Sequence, residues 1–339
     1  MSNKPPIEVP QGAIRLNTDS QKLEFYAQDR WYEMATETAT GLGGRAFRAG
    51  AGSGGTTIST WNIATEGNAI DTGFDLSTGV HAMASAGSRT RAVQAGGRSS
   101  SGSPYALQNV IQYFEMASVS NTIDFGDLTR AAGRFEAHSD NVRMVTGGQQ
   151  NGTDDVMELI IIPSTGNATD FGNLSDSREL TTAAGSRTRA IYAGGAGGSS
   201  PYPDKDVIDF VTLASTGNAV DFGNLTQARY APAGMSNNTR AAFAQGNVAP
   251  TQVNTIDFVT IASTGNAEDF GDAGLTQMGA GAFSSPIRCG FFGGYGNPTP
   301  STTEINVINI TSTGNSTKFG DLTTGGTYVG GHTDVHGGL

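Results

Sequence analysis

A repeat of about 49 residues dominates this chain and restricts its fold more than any other feature. The string Ala-Gly-Ser-Arg-Thr-Arg-Ala stands at 86–92 and again at 184–190, two repeat lengths apart. Aligned arginines fall at Arg45, Arg91, Arg143, Arg189, Arg240 and Arg288, which marks six copies across 41–339. A unit this short cannot bury its own apolar faces, so successive copies must stack on one another.

Each copy carries the same local signals. A small-residue strand ends in glycines, as in Arg-Ala-Ile-Tyr-Ala-Gly-Gly at 189–195. An alternating run follows, such as Ile-Asp-Phe-Val-Thr-Leu at 208–213, with counterparts at 58–63, 111–116, 157–162, 256–261 and 305–310. Period-2 alternation of β-branched and aromatic residues suits a half-buried strand. Next comes Thr-Gly-Asn-Ala-Val-Asp-Phe-Gly-Asn-Leu at 216–225, repeated at 165–174, 264–275 and 313–322, with drifted forms at 66–76 and 120–128. Thr-Gly-Asn reads as a tight turn joining two strands. A fourth strand fits the Gly/Ala-rich stretch after each Leu, as at 131–137 and 229–236, where small side chains suit an inner strand crowded at an axis. No stretch with a 3.6-residue period is long enough to predict a helix. Four strands per copy and six copies predict an all-β, six-bladed β-propeller. The first copy lacks its inner strand and the segment 326–333 matches one, so closure of the ring by the C-terminal strand is expected.

Composition limits the partners. The net charge is −11 with four lysines, which disfavours nucleic acid and anionic membrane surfaces. No apolar run approaches a membrane span, and the first ten residues carry no apolar leader core. The single Cys289 excludes an internal disulfide or a Cys-based zinc site, and it reads as a small buried residue.

The Gly-Gly-ending strand followed by an alternating strand resembles the kelch-type propeller, with Phe125, Phe171, Phe222, Phe270 and Phe319 near the place of the usual blade Trp. The Ser-Thr-Gly-Asn-Ala-x-Asp-Phe-Gly-Asp/Asn-Leu motif is similar to repeat proteins of tailed phages, especially marine ones, across all six copies. That resemblance implies a non-enzymatic virion structural protein, a tail-fibre-like appendage. Other virion proteins, a host surface glycan or receptor, and further copies of the chain are then the expected partners, and no cofactor or metal is expected. A capsid-decorating head protein and a glycan-active enzyme are the alternatives.

The first 40 residues differ from the repeat. Stretches 11–17, 22–26 and 30–34 read as a three-stranded β-meander behind a Pro-rich lead, and the segment resembles the attachment end of phage fibre proteins. Three strands bury little by themselves. Ile14, Leu16, Leu23, Phe25, Trp31 and Tyr32 are therefore expected to cover a surface of the propeller, a sister copy or a virion partner.

The remaining motifs have plain structural readings. Asp-Phe-Gly at 124–126, 170–172, 221–223 and 269–271 lacks a kinase catalytic loop, so its Asp is expected as a turn acceptor and its Phe as a wedge between blades. The same stretch lacks the terminal aromatic of a sialidase Asp-box, and the evenly spaced arginines suggest a structural ring of hydrogen bonds. His332-x-Asp334-x-His336 has ligand-compatible spacing, with local polar surface as the default. Connections after the Gly-Gly strand, at 98–107, 149–156, 196–206, 247–255 and 295–304, vary freely on one face of the ring. They carry Tyr105, Tyr202 and Tyr295, which are the expected ligand-contact residues.

Overall fold

The computed structural model describes residues 10–17, 22–28, 30–33, 44–51, 55–99, 106–149, 155–197, 202–296 and 301–335. Contacts divide the chain into two units, Met1–Thr40 and Gly41–Leu339.

The larger unit is a six-bladed β-propeller of antiparallel four-stranded sheets. From the axis outward, the second blade is built from Ala84–Gly87, Arg91–Ala95, Gln108–Glu115 and Ile123–Ala132. The third takes Glu136–Ser139, Arg143–Gly147, Val156–Ile161 and Thr169–Asn173, and the fourth Thr182–Gly185, Arg189–Ala193, Val207–Thr212 and Val220–Asn224. The fifth takes Ala233–Ser236, Arg240–Ala244, Thr255–Thr260 and Glu268–Asp272, and the sixth Gly281–Phe283, Arg288–Phe292, Glu304–Asn309 and Thr317–Asp321. The first blade closes the ring. Its inner strand is Gly330–Thr333, paired with Arg45–Ala51, and Gly55–Asn62 and Ile70–Asp75 lie outside it. Asp334 reinforces this closure by accepting from the Arg45 backbone N–H at 2.7 Å and from its Nε at 3.1 Å.

The repeated motifs form the joints between blades. At all six joints the Asn of the Thr-Gly-Asn turn, or its counterpart, reaches the outer strand of the preceding blade. Oδ1 of Asn68, Asn121, Asn167, Asn218, Asn266 and Asn315 accepts the backbone N–H of Asp321, Asp75, Asp127, Asn173, Asn224 and Asp272 at 2.9–3.1 Å. Beside it, the N–H groups of Gly166, Gly217, Gly265 and Gly314 donate to the carbonyls of Phe125, Phe171, Phe222 and Phe270 at 2.8 Å. The turn is thus a clasp as well as a connection. The Gly of Asp-Phe-Gly admits it: a Cβ on Gly223, whose φ is +146°, would stand 2.3 Å from the Gly265 carbonyl oxygen.

The Phe of the motif is the expected wedge. Phe125 packs with Met144, Ile160 and Ile162 of the next blade, and Phe222 with Phe243 and Ile261. Burial of each ring stabilises by about 1.5–3 kcal/mol. The Asp is not a turn acceptor. Asp124, Asp170, Asp221 and Asp269 are exposed on the outer strands, where the pleat turns them away from the buried Phe beside them. In the fifth copy Ala273, not Leu275, fills the buried Leu station, because Ala273 keeps the spacing of three residues after the wedge Phe that Leu225 keeps after Phe222.

Five of the six aligned arginines link blades through hydrogen bonds. Arg45, Arg91, Arg189, Arg240 and Arg288 donate to the carbonyls of Met116, Ile162, Ile261, Ile310 and Ile63, each in the next blade. Arg91, Arg189 and Arg240 also lie over the rings of Tyr113, Phe210 and Phe258 at 4.7–4.8 Å. Arg143 departs from the pattern and pairs with Asp140.

The smaller unit is a sheet of Ile14–Asn17, Lys22–Ala27 and Arg30–Glu33. Its register aligns positions 14, 25 and 32 in one cross-strand row, and positions 16 and 23 in another on the same face. Ile14 and Leu16 are 64% and 61% exposed. Trp31 belongs to the opposite face, where Arg15 lies 4.1 Å above its ring and pairs with Glu24. The expected apolar group is therefore split between the two faces, because Trp31 pairs with Tyr26 and not with Phe25.

Candidate functional site

The fold sorts the connections onto two faces. One face carries the Thr-Gly-Asn clasps. The other carries the connections after the Gly-Gly strands and the links from each outer strand to the next inner strand. At the axis of this second face the six links converge on six residues in left-handed conformation: Ala82, Arg134, Leu180, Ala231, Gly279 and Tyr328, with φ between 52° and 62°. Their backbones form a closed hydrogen-bonded ring. The N–H of Arg134 donates to Ala82, Leu180 to Arg134, Ala231 to Leu180, Gly279 to Ala231, Tyr328 to Gly279, and Ala82 to Tyr328, at 2.7–2.9 Å. Positive φ turns each N–H and carbonyl along the ring, which no extended residue could do.

The ring narrows the axis to a throat of about 20 Å³, room for roughly one water. Below it the inner strands enclose a cavity of about 100 Å³. Glu136, His138 and His332 line that cavity. Burial pushes the Glu136 carboxyl up to about 8, against the backbone N–H groups of Ala137 and Ser85. Burial also lowers His138 to about 4 and His332 to about 3, so both are neutral near pH 7. His138 Nε2 is 3.0 Å from the Ser186 carbonyl and His332 Nε2 is 2.9 Å from Gln94 Nε2.

Above the throat, side chains from several links gather. Arg134 Nη1 donates to Glu179 Oε1 at 2.8 Å. The ring of Tyr328 covers Gly279, where a Cβ would meet it at 2.7 Å. Burial raises the Tyr328 phenol to about 12, with Arg134, Tyr230, Glu179 and Arg98 all close enough to act on it. Tyr230 is raised by burial and then by the Asp204 charge. His81 is lowered by burial and then by Arg98 and Arg134. Asp204 Oδ2 accepts the Ala249 N–H at 2.8 Å, while its Oδ1 is buried without a partner among the described residues. Neither the Tyr230 nor the Tyr328 hydroxyl bonds to a described residue, so the mouth gathers two protonated phenols, the guanidinium groups of Arg98 and Arg134, and two carboxyl groups.

The residues expected from sequence are spread out. Tyr202 is 53% exposed in the fourth blade's loop, with φ 52°. Tyr295 is 38% exposed in the sixth, where its backbone pairs with Met278. Tyr105 lies outside the described residues. Asp334 of the His-x-Asp-x-His stretch is held by Arg45, and His332, in the inner strand of the first blade, is buried against Gln94, so His332 is not local polar surface. His336 lies outside the described residues. No group of three or more His, Cys, Asp or Glu capable of holding a metal occurs among the described residues. The axial cluster escaped the sequence reading, although aligning the sixth residue after each Leu station would have set Arg134 and Tyr328 against Ala82, Leu180 and Ala231. No known protein-family profile matches the chain, and no curated protein matches it.

Proposed function

We propose that this chain is a structural component of a tailed-phage particle. In this reading residues 1–40 attach it, and the propeller is displayed as a tail-fibre-like head for contact with a host surface. The observation that carries the reading is how the repeat is used. Its repeated Asn, Phe, Gly and most of its Arg stations serve the joints between blades, which leaves the connections after the Gly-Gly strands to differ in length and sequence. A rigid ring with one variable face suits display and recognition. The exposed Ile14 and Leu16 on the N-terminal sheet suit attachment, since a sheet of three strands gains stability by covering such a face. The repeat's likeness to phage proteins supplies the particle.

The test is direct. Purified particles from the phage encoding this chain are analysed by quantitative mass spectrometry and by labelling with antibody against the propeller. The expected result is a fixed copy number per particle, lost when residues 1–40 are deleted. A chain absent from the particles, or one that assembles equally well without that segment, would overturn the proposal.

A further inference from the structure

We propose that the mouth above the axial throat binds an acidic sugar, a pyranose that carries one carboxylate. The inference is independent of where the chain is assembled. It starts from groups that different blades bring to one place: Arg134 and Glu179 joined at 2.8 Å, Asp204 with one buried oxygen that has no partner among the described residues, and the Tyr230 and Tyr328 hydroxyls. The throat is too small for a sugar at about 20 Å³, so the ligand rests on the mouth and does not enter the channel. The Tyr328 ring across Gly279, with Leu180, Ala231 and Pro232 beside it, supplies an apolar floor for the C–H face of a pyranose.

The charges select the ligand. Arg134 uses Nη1 for Glu179 and its side chain stays 35% exposed, so further guanidinium N–H donors face solvent and suit a carboxylate. Glu179 and Asp204 accept hydrogen bonds and therefore favour a ligand rich in hydroxyl donors. The same two groups repel a doubly charged phosphate ester. A neutral sugar would offer the exposed edge of Arg134 only neutral hydroxyl acceptors, which bond a guanidinium less strongly than a carboxylate does. One carboxylate on a polyhydroxylated ring satisfies both requirements.

The experiment uses the full chain in calorimetric titration against galacturonic acid oligosaccharide, its methyl ester, a neutral galactose oligosaccharide and galactose 6-phosphate. The expected result is binding of the acid, with the ester and the neutral sugar weaker by about tenfold or more. Tyr230→Phe combined with Tyr328→Phe keeps both rings and should weaken the acid by about tenfold through two lost hydroxyls. Arg134→Met should abolish the preference for acid over ester. Because that change removes a charged partner of Glu179, the Tyr variant serves as the test if Arg134→Met fails to fold. Equal binding of acid and ester, tighter binding of the phosphate, an unaffected Tyr double variant, or no binding of the acid would each overturn the proposal.

Discussion

Removal of the Asp257 carboxylate should be among the most damaging single changes to this propeller. Arg229, in the link between the fourth and fifth blades, pairs with Asp257 at 3.0 Å, and both side chains are fully buried. Asp257 also accepts from the Thr226 N–H at 3.1 Å and its hydroxyl at 2.6 Å, while Arg229 Nη2 donates to the Phe243 carbonyl at 3.1 Å. Asp257→Ala strands a guanidinium in the interior and orphans the Thr226 N–H, at a cost of about 3–5 kcal/mol. Asp257→Asn keeps the shape and loses the charge, at about 1.5–3 kcal/mol. Arg229→Met with Asp257→Leu removes both charges and should lie within about 2 kcal/mol of the parent, because neither desolvated ion remains. Equilibrium guanidinium unfolding of the parent, Arg229→Met, Asp257→Leu and the double variant gives the coupling directly, with Asp257→Ala measured beside them. The Arg178–Asp209 pair, 2.9 Å apart and equally buried, is an internal replicate one joint earlier. The first blade is a contrast: among the described residues buried Arg48 donates to Thr324 and Gly325 oxygens and to no carboxylate, and burial lowers its guanidinium to about 10. If Asp257→Ala costs under 1 kcal/mol, or the double variant costs as much as the two single changes summed, the pair does not anchor the link and the reasoning is wrong.

Three further outcomes follow from the same geometry. Gly223→Ala forces a Cβ against the Gly265 carbonyl and should cost about 3 kcal/mol or more, whereas Gly265→Ala meets nothing within 4 Å and should stay within about 0.5 kcal/mol; thermal melts of the two separate the cases. Truncation before Gly330 removes the inner strand of the first blade and exposes the edge Arg45–Ala51, so the product should self-associate on size-exclusion chromatography, and a monomer melting like the parent would contradict this. Glu136 holds its proton in the folded state up to about pH 8, but near 4.3 when unfolded, so its contribution is complete below that lower value and is lost as pH rises towards 8. Glu136→Gln should therefore flatten the fall in melting temperature between pH 5 and 9. His138 and His332, held neutral down to about 4 and about 3, act in the opposite sense and lose their contribution as pH falls below about 6.5.

Periodicity made the blade count, the strand types and the closing role of the C-terminal segment legible, because a strand's two-residue alternation and a repeated turn are local properties. The same locality made Phe222 readable as a wedge. It also misplaced the Asp of Asp-Phe-Gly, whose exposure depends on which sheet face the next blade covers, and it assigned Leu275 a station that Ala273 holds. Trp31 was grouped with Ile14 and Leu16 by hydrophobicity, and only the register of the small sheet parted them.

The sequence alone determined that this is a ring of six like sheets, since copies that cannot bury their own faces must bury one another's. The tertiary structure alone decided what the motifs do. Asn218 became a clasp only when the outer strand of the preceding blade lay beside it, and the ring from Ala82 to Tyr328 exists only because six distant links meet at one axis. The same convergence joined Arg134 to Glu179 and set Tyr230 and Tyr328 at one mouth. Local sequence carries the conformation of each link, but contacts between residues dozens or hundreds of positions apart depend on closure of the ring.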